Sequence, residues 1–351
     1  MNLVQTERAV IREPFEFEPV NECMLCGSTA QHDAQGVSRM GVAFSYCYCG
    51  RCGLKYMRPR PTPACYQRFY AEMYWQQIAT AETFPTFKGA DDSRIDQKEL
   101  RLKKFKRIYS KVRDDLVEHQ KLGSDSRVLE VGCGYGVTLE LLHKDYGAQV
   151  FGIEPSTDAL ARCAEAGCIT IVGRTAEDYL VDIGSVASSE KYDLILIRHC
   201  LENIVSPLPV LDGMRKYLKD TGVLIIYSPN VEYFDAMNPY HPHIFSPETM
   251  TRMLAMAGFD VFRMRASPSP VDRQTALAVV NPDYQLTAFA RCGEKREIRV
   301  PQVDPVRLAE THRLGREAMA WSELNSFEML KRQIRLVRDK FARGVKRALG
   351  K

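Results

Sequence analysis

A chain of 351 residues, 45% hydrophobic and 26% charged, with a mean hydropathy of -0.27, has an ordinary soluble composition and enough length for one large core plus a smaller satellite. Its net charge is +4, but residues 331–351 hold nine Lys or Arg against one acid, so the remainder is net acidic, which argues against wholesale coating of nucleic acid. No apolar run of about 18 residues is present to span a membrane, and the N-terminus lacks an apolar stretch behind a basic head, so the protein reads as cytoplasmic.

Five of the eleven cysteines fall within residues 23–52. Cys23-Met-Leu-Cys26-Gly and Cys49-Gly-Arg-Cys52-Gly are two C-x-x-C turns separated by 22 residues. Four thiolates on two such turns can surround one tetrahedral Zn²⁺, and the glycine after each pair lets backbone amides point at sulfur. A closed four-sulfur site keeps no open coordination position, so the zinc would be structural. Redox pairs or plain buried cysteines are the competing readings, though a redox site needs only one pair. Cys47 in place of Cys49 would break the symmetry of the two turns. The prolines of Arg-Pro-Arg-Pro-Thr-Pro (58–63) interrupt regular structure and close a first module over 1–60.

Residues 61–122 read as a helical lead-in or lid. The stretch from Tyr66 to Trp75 is aromatic-rich, and Leu100, Phe105, Ile108, Val112 and Leu116 recur at helical spacing. Tyr70, Tyr74 and Trp75 suit either an aromatic wall over the site or, with the stronger prior, core packing. From Arg127 short β-branched runs alternate with helix-like stretches. RVLEVG, AQVFGIEP, CITIVG, YDLILI and GVLIIYSP are expected strands, with helices near 137–145, 157–166, 175–182 and 207–218, the pattern of a buried parallel sheet. Ser246 and Pro247 announce another helix, and DVFRMRA and QTALAVV are expected to finish the sheet, placing the catalytic domain at 123–281. Residues 282–351 read as a mostly helical basic tail. There Leu330, Ile334, Val337, Phe341 and Val345 trace one helical face amid Lys and Arg. Such a face suits an anionic membrane surface, the protein's own body or a twin subunit.

The chemistry starts at Glu130-Val-Gly132-Cys-Gly134-Tyr-Gly136, which follows one strand and opens a helix. Glycines there permit a tight turn and close approach of a nucleotide to the backbone. Glu154 ends the next strand, where a carboxylate can accept from both ribose hydroxyls. A dinucleotide fingerprint would require glycine at Val137. The spacing instead resembles the class I S-adenosylmethionine-dependent methyltransferases, whose first motif is E/D-x-G-x-G-x-G. AEDY (176–179), YDLILIRHCLENI (192–204), GVLIIYSPN and HPHIFSPETMTRMLAMAGFDV are similar to the family's later segments in order.

The resemblance implies a Rossmann-like seven-stranded α/β sheet with helices on both faces. It places Glu130, Gly132, Gly134, Gly136 and Glu154 on the cofactor, with Ala176 and Glu177 at the adenine and Arg198 counted with the same set. The N-terminal pattern through CGRCGLKYMRPRPTPACYQRFYAEMYW is similar to bacterial methyltransferases that carry a zinc ribbon and act largely on sugars, glycans and small metabolites. That reading makes Cys23, Cys26, Cys49 and Cys52 the zinc ligands.

Methyl transfer needs donor and acceptor aligned and, for a neutral hydroxyl or a carbon acid, a base. His199 ends strand YDLILI, and His241 and His243 follow strand GVLIIYSP. These are the candidates, His241 first. Relatives often carry a further histidine where this chain has Asn203. His32, His119, His143 and His312 lack motif context and read as incidental. The aspartates of magnesium-dependent relatives are missing, so metal-free catalysis is expected. The resulting expectation is methyl transfer to oxygen of a small-molecule, sugar or glycan acceptor. A sugar C-methyltransferase, a non-catalytic cofactor-fold scaffold and a nucleic-acid-binding zinc ribbon are the rivals, the last disfavoured by the absence of a basic stripe in residues 1–60. A homo-oligomer and a peripheral contact with the inner face of the membrane stay open.

Overall fold

The computed structural model describes residues 15–39, 41–78, 109–116, 118–180, 190–233, 237–269, 272, 285–296, 304 and 306–318. The tail stripe at 330–345, the strand expected at QTALAVV and most of the expected lead-in helix lie outside the described residues, as does the side chain of Trp75.

The N-terminal module contains β1 (Phe17–Glu18), β2 (Gln31–Arg39), β3 (Val42–Cys49), β4 (Lys55–Met57) and β5 (Arg60–Pro61). β2, β3 and β4 form an antiparallel meander, while β1 pairs with β5. Helix α1 (Pro63–Arg68) begins where Thr62 accepts from the Cys65 amide at 3.2 Å and Pro63 supplies a preset φ. It runs directly into a π-helical stretch, Phe69–Ile78.

The main domain alternates strand and helix through β6 (Arg127–Val131), α2 (Val137–Tyr146), β7 (Gln149–Ile153), α3 (Thr157–Ala166), β8 (Ile169–Gly173), α4 (Ala176–Tyr179), β9 (Tyr192–Arg198), α5 (Pro207–Tyr217) and β10 (Leu218–Pro229). It closes with β11 (His243–Ile244), α6 (Pro247–Met256), β12 (Phe259–Arg265) and β13 (Gln285–Cys292). The seven-stranded sheet has the order β12-β13-β10-β9-β6-β7-β8, with β13 alone antiparallel to its neighbours. Its central strands are continuous apolar runs because both faces are covered: Leu194, Ile195, Leu196 and Ile197 are all buried. The chain turns outward in opposite directions from β6, so a crevice opens at the carboxyl ends of β6 and β9.

The expected helices at 137–145, 157–166 and 207–218 are present, and α6 carries the full capping box of Ser246 with Thr249. The last strand sits at Gln285–Cys292, past the expected domain boundary at 281. Its LTAFA segment is buried throughout, but its alanines gave no strand-like alternation to distinguish it from the tail.

The N-terminal module is joined to the sheet domain rather than tethered to it. Cys23, Leu25, Cys47, Leu54 and Tyr56 share one core with Met250, Met253 and Leu254 of α6. β11, which comes from the sheet domain, adds to the module's meander, pairing with β4 so that Tyr56 faces His243 and Lys55 faces Ile244. Arg252, buried on α6, donates to the Cys52 carbonyl at 3.1 Å. On the opposite face of the sheet, Tyr109, Val112 and Leu116 of helical residues 109–116 pack with Leu139 and Leu142 of α2.

Helix α7 (residues 306–318) corrects the reading of His312 as incidental. His312 is fully buried, with Nδ1 2.9 Å from the Tyr48 hydroxyl, while Leu314 and Ala318 pack on Tyr233. Burial, reinforced by Lys55 and Arg316, holds the His312 ring down at about 3, so it is neutral. His119 likewise serves packing, edge-on to Phe289 and 3.1 Å from the Arg263 guanidinium, and His143 Nδ1 lies 2.9 Å from the Ala148 carbonyl.

Candidate active site and cysteine cluster

The glycine loop follows β6 and enters α2 with Gly132, Gly134 and Gly136 all at positive φ (70, 54 and 68°). A side chain at Gly132 would meet the Cys200 sulfur at 2.8 Å, and one at Gly136 would meet Cys163 at 2.9 Å and the end of Ile169. Both positions therefore need glycine for conformation and for space.

Glu154, at the end of β7, braces this loop. One carboxylate oxygen accepts from the Gly134 amide at 2.9 Å and the other from the Ser156 amide at 3.1 Å. The sequence suggested only a ribose ligand there. The carboxylate also sets the backbone path of the loop, a role invisible without the fold. Ala176, buried, and Glu177, exposed, open α4, where Thr175 caps the helix by accepting from the Asp178 amide at 3.0 Å.

Glu130 is fully buried and accepts from Arg198 Nη2 at 3.1 Å. Burial pushes its carboxyl up to about 7 despite the opposing pull of Arg198. Glu130 Oε2 and Arg198 Nη1 are both buried without a partner. An unmet acceptor and an unmet donor on one ion pair is costly unless a ligand supplies the complement, and a group bearing both an ammonium and a carboxylate would satisfy both. The pairing of Glu130 with Arg198 across 68 residues was the strongest site feature that motif spacing could not supply.

The candidate bases sit on the loops after β9 and β10. His199 has φ 48°, the one positive value at a non-glycine among the described residues, a strained conformation that tends to mark functional sites. Its Nε2 lies 3.1 Å from the Gln285 side-chain oxygen and its Nδ1 3.5 Å from Glu202, and the Asn203 side chain donates to its carbonyl at 3.1 Å. His241 is half-buried, edge-on to Tyr240 with ring centroids 4.7 Å apart, and its Nδ1 lies 3.5 Å from the Asn238 side-chain amide.

His243 is set apart from these two. It is buried within β11, its Nε2 donates to the Val205 carbonyl at 3.0 Å, and burial holds the ring down at about 4. Its geometry is that of a neutral packing histidine at the joint with the N-terminal module. Tyr70 and Tyr74 pack with Phe69 and Tyr240, the core role that the sequence favoured for them over an aromatic wall.

The four cysteine sulfurs of the two C-x-x-C turns lie within 4.8 Å of one another, with Cys23 and Cys52 3.5 Å apart and Cys26 and Cys49 3.4 Å apart. Zn–S bonds of about 2.3 Å in a tetrahedron put sulfurs about 3.8 Å apart, so the cluster is compatible with a structural zinc. The two turns are built alike: Gly27 and Gly53, both at positive φ, return their amides to the carbonyls of Cys23 and Cys49 at 2.8 and 3.0 Å. The amides of Arg51 and Cys52 point at the Cys49 sulfur, each at 3.4 Å. Cys47 is buried but stands outside the four.

Residues 101–263 match a family described as a methyltransferase domain. The ubiquinone biosynthesis O-methyltransferase of Actinobacillus pleuropneumoniae serotype 7 (strain AP76) is 36% identical over 109 residues, 30% of this chain and 46% of that protein. The protein of the same name from Cereibacter sphaeroides (strain ATCC 17025 / ATH 2.4.3) is 33% identical over 109 residues, 30% of this chain and 41% of its own. The chain thus spans less than half the length of these curated relatives. Among solved structures, a SAM dependent methyltransferase from Archaeoglobus fulgidus is 20% identical with a TM-score of 0.44, over 56% of this chain and 100% of that one.

Proposed function

We propose that this chain carries a class I S-adenosylmethionine-dependent methyltransferase domain, a reading supported by the match of residues 101–263 to a methyltransferase domain, and that the protein moves a methyl group to a hydroxyl oxygen of a small-molecule, sugar or glycan acceptor. The observation that carries the cofactor assignment is the buried Glu130–Arg198 pair with one unmet acceptor and one unmet donor. The two charges complement the ammonium and carboxylate of a methionine moiety. When bound, S-adenosylmethionine supplies a methyl group activated on sulfonium. The glycine loop gives that ligand a close backbone surface, and Glu154, which accepts from the Gly134 and Ser156 amides, is the residue this reading assigns to the ribose hydroxyls. The printed names of the relatives support oxygen as the acceptor atom.

His241 takes the acceptor proton in this reading. If the Asn238 amide turns its oxygen to the ring, it accepts from Nδ1–H and selects the tautomer in which Nε2 carries the lone pair a base needs. His199 lies between Gln285 and Glu202 on the loop after β9.

Calorimetry is expected to show binding of S-adenosylmethionine and its demethylated product and none of NAD. A mass-spectrometric screen of nucleotide sugars, glycolipids and hydroxylated metabolites is expected to find an O-methyl product. A carbon-methylated product would shift the assignment to a C-methyltransferase, and methylation of nucleic acid would overturn it. Glu154→Ala is expected to weaken S-adenosylmethionine binding by about 3–6 kcal/mol, taking two hydrogen bonds to a charged group at about 1.5–3 kcal/mol each. Unchanged affinity in that variant would place the cofactor elsewhere.

A further inference from the structure

The loop that carries His241 is bound by the N-terminal module and by the helical segment that follows it. The Tyr46 hydroxyl, on β3, lies 3.0 Å from the Asn238 carbonyl and 2.5 Å from the His241 carbonyl. The Tyr66 hydroxyl, on α1, donates to the Pro239 carbonyl at 3.4 Å, and the Tyr70 hydroxyl, on the π-helical stretch, donates to the Tyr240 carbonyl at 3.1 Å. The Met57 amide, at the end of β4, donates to the Pro242 carbonyl at 2.9 Å. The carbonyls of residues 239 through 242 therefore find donors on sequence-distant elements, the single Tyr46 hydroxyl proton going to the nearer His241 carbonyl, while the Asn238 carbonyl also accepts from the His241 amide at 3.1 Å. The β4–β11 ladder begins at the next residue.

This is more than incidental packing. Pro239 and Pro242 have no amide hydrogen, so beyond the turn closed by the His241 amide on the Asn238 carbonyl the loop offers few donors of its own, and its other carbonyls need outside donors once buried. Tyrosine suits the task because its ring buries in the aromatic core while its hydroxyl reaches a carbonyl at the edge. β3 joins both ends of the arrangement, with Tyr46 three residues before the cluster cysteine Cys49.

We infer that Tyr46, Tyr66 and Tyr70 are positioning residues for the His241 loop, and that the N-terminal module, together with the helical segment after it, serves as the brace of the acceptor side of the active site rather than as a separate binding domain. The inference rests on the reading of His241 as base only for its catalytic consequence. The brace itself is a statement about the loop.

The test is hydrogen exchange on the full chain, comparing wild type with Tyr46→Phe and with Tyr46→Phe/Tyr70→Phe. Phenylalanine keeps the ring in the core and removes only the hydroxyl. Exchange in the peptide covering residues 238–242 is expected to accelerate about five-fold per lost bond, with the melting transition and S-adenosylmethionine affinity held close to wild type. In protein labelled at histidine, the His241 ring resonances are expected to shift in these variants while those of His199 stay in place. Unchanged exchange and unchanged His241 resonances in the double variant would overturn the brace. Faster exchange alongside a fully active His241→Ala enzyme would support the brace and remove the base assignment instead.

Discussion

His241→Ala is expected to lower turnover by about 10²–10⁴, the usual worth of a positioned general base, while S-adenosylmethionine affinity, measured by calorimetry, is expected to stay at the wild-type value. The split is expected because the residue lies on the loop after β10, whereas the residues proposed to hold the cofactor lie on the glycine loop and at the ends of β7 and β9. His199→Ala is the companion measurement. Its ring is already engaged by Gln285 and Glu202, so its loss should act mainly through the strained turn after β9 and cost less turnover. Near-normal turnover in both variants on the true acceptor would remove proton abstraction by either histidine. Alignment of an already nucleophilic acceptor would then carry the reaction.

Cys23→Ser is expected to destabilise the whole chain rather than a detachable module, because the cluster shares its core with α6 and the central sheet. Structural zinc contributes about 10–16 kcal/mol to the folding of finger peptides, which matches or exceeds the about 5–15 kcal/mol that separates ordinary native domains from the unfolded chain. Four thiols packed within 4.8 Å cannot all ionise without a cation among them, so losing the metal leaves repulsion or protonation at the centre of the module. Protein purified without oxygen should carry about one zinc per chain, and Cys23→Ser should lose both the metal and the cooperative melt. Cys47→Ser should keep the metal, since Cys47 stands outside the four. Wild-type protein free of zinc, yet folded, would overturn the assignment.

What the sequence determined by itself was local: the alternation of apolar runs with helical stretches from Arg127, the glycine loop at the first strand-to-helix turn, the cap at Ser246 and the paired C-x-x-C turns all appear where their spacing put them. Each of these is a backbone conformation set by neighbours within a few residues, which is the range over which residue type constrains dihedral angles and hydrogen bonding. Tertiary structure alone decided the rest. Arg198 meets Glu130 across 68 residues, Tyr46 meets His241 across 195, and His312 meets Tyr48 across 264. The burial of His243 depends on β11 joining a sheet that belongs to the N-terminal module, and no periodicity in two residues could announce it. A histidine has the same local signature as a base in a crevice and as a donor in a core, and only the packing of distant elements determines whether water or a carbonyl faces its ring.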